Sequence, residues 1–126
     1  SSFFNGNPDS EGGYSSVATM KAVGDYVTYS FPVPVSGNFN FKLNYKLSKS
    51  SRGTARFSLV RSDGTEERLG NDIDESTNQT EKMQTIDLGS HSIEAGTLKL
   101  RMRLVGGGIS GTGKLIGFNY LLLTRK

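Results

Sequence analysis

Positively charged side chains on one side of two extended segments could bind an acidic ligand. They are Lys99, Arg101 and Arg103 in one segment and Lys42 and Lys46 in the other. A guanidinium group matches a carboxylate through two parallel hydrogen bonds, so such a surface would suit an acidic polysaccharide bearing uronate or pyruvate groups. If both segments lie in one sheet, five cations line one surface, and Arg56 joins them if its strand pairs alongside. The alternative interpretation is an ordinary solvated sheet face.

A second set of candidate binding residues lies in long polar loops. The set comprises Tyr14, Arg52, Asp72 and Lys114, in the loops at 5–16, 48–54, 70–82 and 106–114. An aromatic platform with a few polar and charged groups is the usual chemistry of sugar capture, because the ring stacks on the sugar and the polar groups bond its hydroxyls. For Tyr14, a role as a core anchor is the alternative.

Acidic residues and the single histidine offer weaker candidates. Asp72, Asp74 and Glu75 could bind Ca²⁺, but their spacing falls short of a calcium-loop pattern, and a solvated acidic loop is the favoured interpretation. His91 has no second histidine or cysteine as a partner, so we interpret it as a surface residue near a turn. No two carboxylates are placed across a cleft as a glycosidase requires. We therefore expect a protein that is not an enzyme.

The segment GGGISGTGKL resembles a phosphate-binding loop. Gly108, Gly113 and Lys114 match the pattern G-x-x-x-x-G-K, but Leu115 stands where a serine or threonine must reach magnesium. A phosphate loop is also followed by a helix, whereas Leu115–Leu123 has the pattern of a strand. We therefore interpret the segment as a hairpin loop.

The elements that must position these residues are short strands. In Asp25–Val33 and Asn38–Tyr45, aromatic and β-branched residues alternate with polar ones, which is typical of half-buried strands. Further strands are predicted at Val17–Val23, Ala55–Val60, Glu66–Leu69, Met83–Ile93 with a bulge at Gly89, Thr97–Val105 and Leu115–Leu123. The pattern predicts an all-β fold, an antiparallel β-sandwich of the jelly-roll type with eight or nine strands.

Connections between these strands fall into two groups. If successive strands run antiparallel, the tight turns at 36–37, 62–64 and 94–96 lie at one end of the sandwich, and the four long loops lie at the other. This arrangement requires 83–93 to be a single strand. Since binding residues tend to lie on loops held by a rigid scaffold, the long-loop end is the first candidate site.

Length and composition restrict the class of protein. A chain of 126 residues is expected to form one domain, 1–126, and its start without Met suggests a module from a longer chain. The absence of Cys excludes disulfides and thiolate zinc sites. The net charge is only +3, without a nucleic-acid-binding motif, and no apolar run could span a bilayer. We expect neither nucleic acid nor a membrane as a partner.

Three stretches together carry a resemblance to a known group of modules. They are GDYVTYSFPVPVSGNF, ARFSLVRSDG, and IDLGSHSIEAGTLKLRMRL with the closing LIGFNYLLL. They resemble carbohydrate-binding modules of the galactose-binding-like β-sandwich type, families 6 and 35, which are appended to bacterial polysaccharide-degrading enzymes. The resemblance covers about residues 17–123. It implies a non-catalytic module that binds a polysaccharide or oligosaccharide, a catalytic domain in the same parent chain, and a secreted or cell-surface location.

The resemblance has departures at the family's site positions. Met20 and Met83 stand where family 6 modules commonly have sugar-stacking aromatic residues. Asn119 replaces the closing Asp that is often a calcium ligand, so a structural calcium ion is possible but its usual ligands are not matched, and no cofactor is expected. A structural or protein-interaction domain of a multidomain secreted or surface protein is the alternative function.

Overall fold

The computed structural model describes residues 2–6, 16–49 and 51–126, and within these ranges the chain forms eleven strands and no α-helix. The strands are β1 (Ser2–Gly6), β2 (Ser16–Thr19), β3 (Tyr26–Val33), β4 (Gly37–Leu47), β5 (Thr54–Val60), β6 (Glu66–Arg68), β7 (Ile73–Asp74), β8 (Lys82–Ile93), β9 (Gly96–Gly106), β10 (Leu115–Phe118) and β11 (Tyr120–Arg125). No helix among these residues could cross a membrane.

The strands form two large antiparallel sheets and one small one. One sheet has four strands in the order β1-β11-β4-β8, and the other has the order β3-β9-β5-β6, with β7 also paired to β5. Strands β2 and β10 form the small sheet. The predicted all-β antiparallel sandwich is confirmed. The predicted count of eight or nine strands was too low, because β1 and β7 carry no clear alternation and the last predicted strand is divided into β10 and β11.

Inward-facing side chains of the two sheets meet in one apolar core. Alternate residues of β4 and β9 supply much of it: Phe39, Phe41, Leu43 and Tyr45 from β4, and Leu98, Leu100, Met102 and Leu104 from β9. Phe57 of β5 packs edge-on against Phe118, with ring centroids 5.8 Å apart. Full burial of such side chains contributes about 1.5–3 kcal/mol each. The inward faces predicted for these strands are therefore confirmed.

The last predicted strand is divided in two. Leu115–Phe118 pairs with β2, whereas Tyr120–Arg125 pairs with β4 in the four-stranded sheet. At the break, the backbone N–H of Asn119 donates to the carbonyl of Asn44 at 2.7 Å, and its side-chain amide donates to Asn44 Oδ1 at 2.7 Å. Asn119 thus holds the chain where it passes from the small sheet to the large one.

Strand β8 is continuous but bulged. Phe41 pairs with Gly89 and Lys42 pairs with Asp87, which leaves Leu88 as the extra residue. Gly89 has φ of +87°, a conformation that other residues rarely adopt, and its N–H donates to Asp87 Oδ1 at 2.7 Å. Both the single strand and the bulge at Gly89 were predicted.

Because β8 is one continuous strand, tight turns lie at one end of the sandwich and long loops at the other, as predicted. At one end, the N–H of Ala95 donates to Ser36 Oγ at 2.7 Å, joining two tight turns. At the other end, the N–H of Thr77 donates to the carbonyl of Ser48 at 3.1 Å, and the N–H of Ile109 donates to Ser76 Oγ at 2.8 Å. Three of the predicted long loops, 48–54, 70–82 and 106–114, therefore meet at one end. Most of the fourth, 5–16, lies outside the described residues.

Candidate functional site

The outer face of the five-stranded sheet carries rows of cationic side chains. In one row across the strands, Tyr26 of β3 lies opposite Arg103 of β9, which lies opposite Arg56 of β5. In the next row, Arg101 of β9 lies opposite Ser58 of β5, and Ser58 opposite Arg68 of β6. We call this surface the arginine face; it comprises Tyr26, Arg56, Glu66, Arg68, Asp72, Lys99, Arg101 and Arg103.

Two carboxylates hold the four arginines of this face. Glu66 Oε2 accepts from Arg101 Nη1 at 2.9 Å and from Arg103 Nη2 at 3.1 Å. Asp72 accepts two bonds from Arg56, at 2.9 and 3.0 Å, and one from Arg68 at 2.8 Å. Like charges opposite each other on neighbouring strands are unfavourable, and the carboxylates offset this repulsion. Because each carboxylate serves two arginines, the face keeps a net positive charge.

These contacts also fix the orientation of the guanidinium groups. Arg101 Nε donates to Thr28 Oγ1 at 3.0 Å, and Arg103 Nη1 donates to the carbonyl of Gly24 at 2.8 Å. The hydrogen bond from Arg56 lowers the pKa of Asp72 below its ordinary value, so this carboxylate stays ionised at neutral pH. A ligand that binds here meets arginines that are already ordered, which reduces the entropy lost on binding.

The predicted surface of five cations does not form. Lys42 and Lys46 lie on β4 in the four-stranded sheet, whereas Lys99, Arg101 and Arg103 lie on β9 in the five-stranded sheet. The surface required both segments to lie in one sheet, and this condition is not met. Alternation along a strand predicts which side chains face inward or outward, but it does not predict to which sheet the strand belongs. Arg56 does join the β9 cations, as expected if its strand paired alongside.

The predicted loop residues are dispersed. Arg52 is buried, with its Nη1 donating to Glu75 Oε1 at 3.1 Å, and Asp72 belongs to the arginine face. Lys114 is exposed at the long-loop end, and Tyr14 lies outside the described residues. The structure therefore does not bring Arg52, Asp72 and Lys114 together in one site.

Glu75 is fully buried beneath the long loops. Its Oε1 also accepts from the N–H of Gly117 at 2.9 Å. Burial away from water raises the pKa of Glu75 to about 8, although the Gly117 N–H and the Arg52 guanidinium act in the opposite direction. Glu75 is thus part of the interior, whereas Arg52, 7% exposed, also borders the open space between the long loops.

The long loops surround an open concavity of about 480 Å³. It is lined by hydroxyl and amide groups, one apolar side chain and two cationic ones: Lys49, Ser51, Arg52, Ser76, Thr77, Asn78, Ile109, Ser110 and Thr112. We call this surface the loop concavity. Hydroxyl and amide groups can hydrogen-bond sugar hydroxyls. The sequence predicted a site at this end of the sandwich and included Arg52 in it, but the hydroxyl and amide residues of the lining were missed. Their signal in the sequence is the density of Ser and Thr in the three loops.

The acidic residues do not converge on a metal. Asp74 Oδ1 accepts from the N–H and the hydroxyl of Ser76, at 3.0 and 2.5 Å, while Asp72 and Glu75 bind arginines. Within the described ranges, no group of three or more His, Cys, Asp or Glu side chains could hold a metal ion.

Two other sequence candidates have structural explanations. His91 was expected on the surface but its side chain is 14% exposed, because it packs edge-on against Phe41 and its Nδ1 lies 2.6 Å from Glu67 Oε2. The segment containing Gly108, Gly113 and Lys114 is a loop that leads into strand β10, but it does not form the predicted hairpin, because β10 pairs with β2 and not with β9. A side chain at Gly113 would overlap the carbonyl of Arg52, which explains the glycine.

No family model matches the sequence, and no curated protein matches it. Solved structures do resemble the fold. A domain of a Paenibacillus xanthan lyase matches with a TM-score of 0.76 and 20% identity over 100% of this chain, which spans 12% of the lyase chain. A family 35 carbohydrate-binding module from an environmental isolate matches with a TM-score of 0.59 and 15% identity, over 98% of this chain and 85% of that one.

A family 6 module extends this agreement. The carbohydrate-binding module of Cellvibrio mixtus lichenase 5A, solved with cellotriose, matches with a TM-score of 0.50 and 14% identity, over 100% of this chain and 97% of that one. The chain has the fold of these carbohydrate-binding modules. The resemblance stated from the sequence is confirmed at the level of fold. On this carbohydrate-binding-module fold, the arginine face and the loop concavity are the two candidate ligand surfaces.

Proposed function

We propose that this domain is a non-catalytic carbohydrate-binding module that binds an acidic glycan through its arginine face. The observation that carries the proposal is the cationic surface of Arg56, Arg68, Arg101 and Arg103, which Glu66 and Asp72 order on a module of this fold. Arginine forks match the carboxylates of uronate or pyruvate groups.

The module keeps an attached polysaccharide-degrading enzyme at its substrate, in a secreted or cell-surface protein. Binding raises the local concentration of the enzyme without contributing to catalysis. Support comes from the similar structures, since one lies within a xanthan lyase and another belongs to a lichenase. The binding free energy comes from non-covalent contacts alone, so no cofactor is required.

The test is surface plasmon resonance on immobilised polygalacturonate and on the same polymer after reduction of its carboxylates. We expect binding to the acidic polymer only. Arg101→Ala with Arg103→Ala should weaken it about tenfold or more, because charge-assisted hydrogen bonds contribute about 1.5–3 kcal/mol each. Raising NaCl should weaken binding as well, since ions screen exposed charges.

Lys42→Ala with Lys46→Ala provides the matched control, because it removes the same charge from the opposite sheet. Its affinity should stay within about twofold of the wild type. Equal losses in the two double variants would contradict the proposal, because they would indicate attraction by net charge alone. Absence of binding to any acidic or neutral polysaccharide would favour the structural or protein-interaction domain.

The loop concavity supports a second candidate, the binding of a neutral glycan. The observation that favours this possibility is the set of hydroxyl and amide groups that makes up most of the lining, which Lys49 and Arg52 complete. Binding to the carboxyl-reduced polymer that persists in the double arginine variant, and that is lost in Ser110→Ala with Thr112→Ala, would assign the ligand to this surface instead.

A further inference from the structure

Tyr26 occupies an unusual position on the arginine face. Its side chain is 48% exposed, and it is the one aromatic side chain among those described that is exposed on more than a third of its surface. The other described aromatic rings are buried or half-buried. Tyr26 begins β3, directly opposite Arg103. Packing of the apolar core does not explain an aromatic ring that is exposed next to cationic side chains.

The arginines cover one side of this ring. Arg101 Cζ lies 4.0 Å from the ring centroid and Arg103 Cζ lies 4.7 Å from it. Both guanidinium groups also donate to the same oxygen, Glu66 Oε2, at 2.9 and 3.1 Å. Two groups bridged so closely by one atom lie on the same side of the ring. Cation–π attraction therefore fixes the ring from the side of the arginines, while 48% of the side-chain surface stays exposed.

The more accessible arginines lie on strands farther across the sheet from the ring. Arg56 is two strands away from Tyr26 in the same row, about 10 Å at the spacing of neighbouring strands, and Arg68 follows on the next strand in the adjacent row. The side chain of Arg68 is 50% exposed, against 18% for Arg101. A ligand stacked on Tyr26 can thus extend across the strands toward guanidinium groups that remain open to solvent.

We propose that the exposed surface of Tyr26 is the stacking platform for a uronate residue, and that Arg56 and Arg68 bind a carboxylate farther along the same glycan chain. This inference rests on the proposed function and names the ligand class, an oligouronate of at least two residues lying across the strands. The aromatic ring supplies the apolar surface that a sugar ring needs, and the arginines supply the specificity for carboxylate.

The test is isothermal titration calorimetry of the whole domain with tetragalacturonate. Tyr26→Ala should weaken binding about tenfold, while Tyr26→Phe, which keeps the ring, should stay within about twofold. Val17→Ala is the matched control, because Val17 is an apolar side chain that is 51% exposed on β2 of the small sheet, outside both candidate surfaces. It should leave the affinity unchanged. Urea denaturation of each variant should show that the fold is retained.

The outcomes separate this inference from the proposed function. Unchanged affinity in Tyr26→Ala, together with a loss in Arg101→Ala with Arg103→Ala, would overturn the stacking platform and leave acidic-glycan binding intact. Absence of binding by the wild type would overturn both. If Tyr26→Ala unfolds, the chemical shifts of the Tyr26 ring in the wild type decide the matter: we expect them to change on addition of tetragalacturonate, and no change would overturn the inference.

Discussion

Arginine–carboxylate pairs occur in two contrasting regions of this molecule. On the arginine face, Glu66 and Asp72 each bridge two arginines at the surface. Beneath the long loops, Arg52 and Glu75 form a single pair whose side chains are 8% and 0% exposed. The comparison shows that the same two functional groups serve different purposes. Solvated pairs contribute little to stability but leave guanidinium groups available to a ligand, whereas a buried pair constrains the fold.

The buried pair lies where the long loops meet. The N–H of Glu75 donates to the carbonyl of Gly53 at 3.1 Å, and the carbonyl of Glu75 accepts from the N–H of Ser48 at 3.0 Å. Two buried polar atoms of the pair, Arg52 Nε and Glu75 Oε2, have no hydrogen-bond partner in the part of the chain that the structure describes. The hydrogen-bonding capacity of the pair is therefore incompletely satisfied. Removing both side chains should change the free energy of unfolding less than removing one of them.

The largest effect on stability is expected for Glu75→Leu. This change leaves the Arg52 guanidinium buried without an acceptor, and an arginine cannot lose its proton to relieve the penalty. The free energy of unfolding should fall by about 3–5 kcal/mol. Urea denaturation measures the change.

Two variants sharpen this comparison. Glu66→Leu, the same kind of substitution on the arginine face, should cost less than about 1 kcal/mol, because Arg101 and Arg103 are partly exposed and keep their bonds to Thr28 Oγ1 and the carbonyl of Gly24. Arg52→Met combined with Glu75→Leu should recover much of the stability lost in Glu75→Leu, since the buried guanidinium is removed together with its acceptor. Equal losses in Glu75→Leu and Glu66→Leu would remove the distinction between the two regions.

The pH dependence of stability should report the buried pair. Burial raises the pKa of Glu75 to about 8 from an ordinary value of 4.5, so the folded state retains a proton that the unfolded state releases. Its contribution is fully present below pH 4.5 and is lost as the pH rises through 8. Unfolding free energy should therefore fall by roughly 1 kcal/mol per pH unit within this window.

Glu75→Gln is the control for this measurement, because the amide keeps the size of the side chain and does not titrate. The slope between pH 5 and 8 should disappear in this variant. A wild-type slope that persists in Glu75→Gln would assign the titration to another group.

Sequence reasoning predicted the parts of the fold that depend on alternation along a strand. The inward faces of Phe39–Tyr45 and Leu98–Leu104, the bulge at Gly89 and the gathering of three long loops all follow from side-chain period and turn length. The side-chain period does not show to which sheet each strand belongs. Strands β4 and β9 have the same pattern, with apolar residues facing inward and cationic residues facing outward. That ambiguity is why Lys42 was grouped with Arg101.

The sequence also did not predict that charged side chains in the long loops are buried. Arg52 lies in the polar stretch SKSSRGT, and its partner Glu75 is 23 residues away in another polar stretch, so neither segment indicates an interior pair. Tyr26 did carry a signal, because it shares the parity of Thr28 and Ser30 on the outward side of its strand. Its significance becomes evident only when the register places it opposite Arg103.

The smallest effect is expected for Asp72→Asn on the arginine face. The carboxylate binds Arg56 and Arg68, and its pKa is lowered by the hydrogen bond from Arg56, so it contributes stability at neutral pH that is lost as the pH falls. The unfolding free energy should decrease by less than about 1 kcal/mol.

Affinity of Asp72→Asn for polygalacturonate should instead rise about two- to threefold, because two arginines lose a competing carboxylate. Surface plasmon resonance on the two polymers measures the change, with Asp87→Asn on the opposite sheet as the control for added net charge. A decrease in affinity would mean that Asp72 positions the arginines for the ligand and does not compete with it.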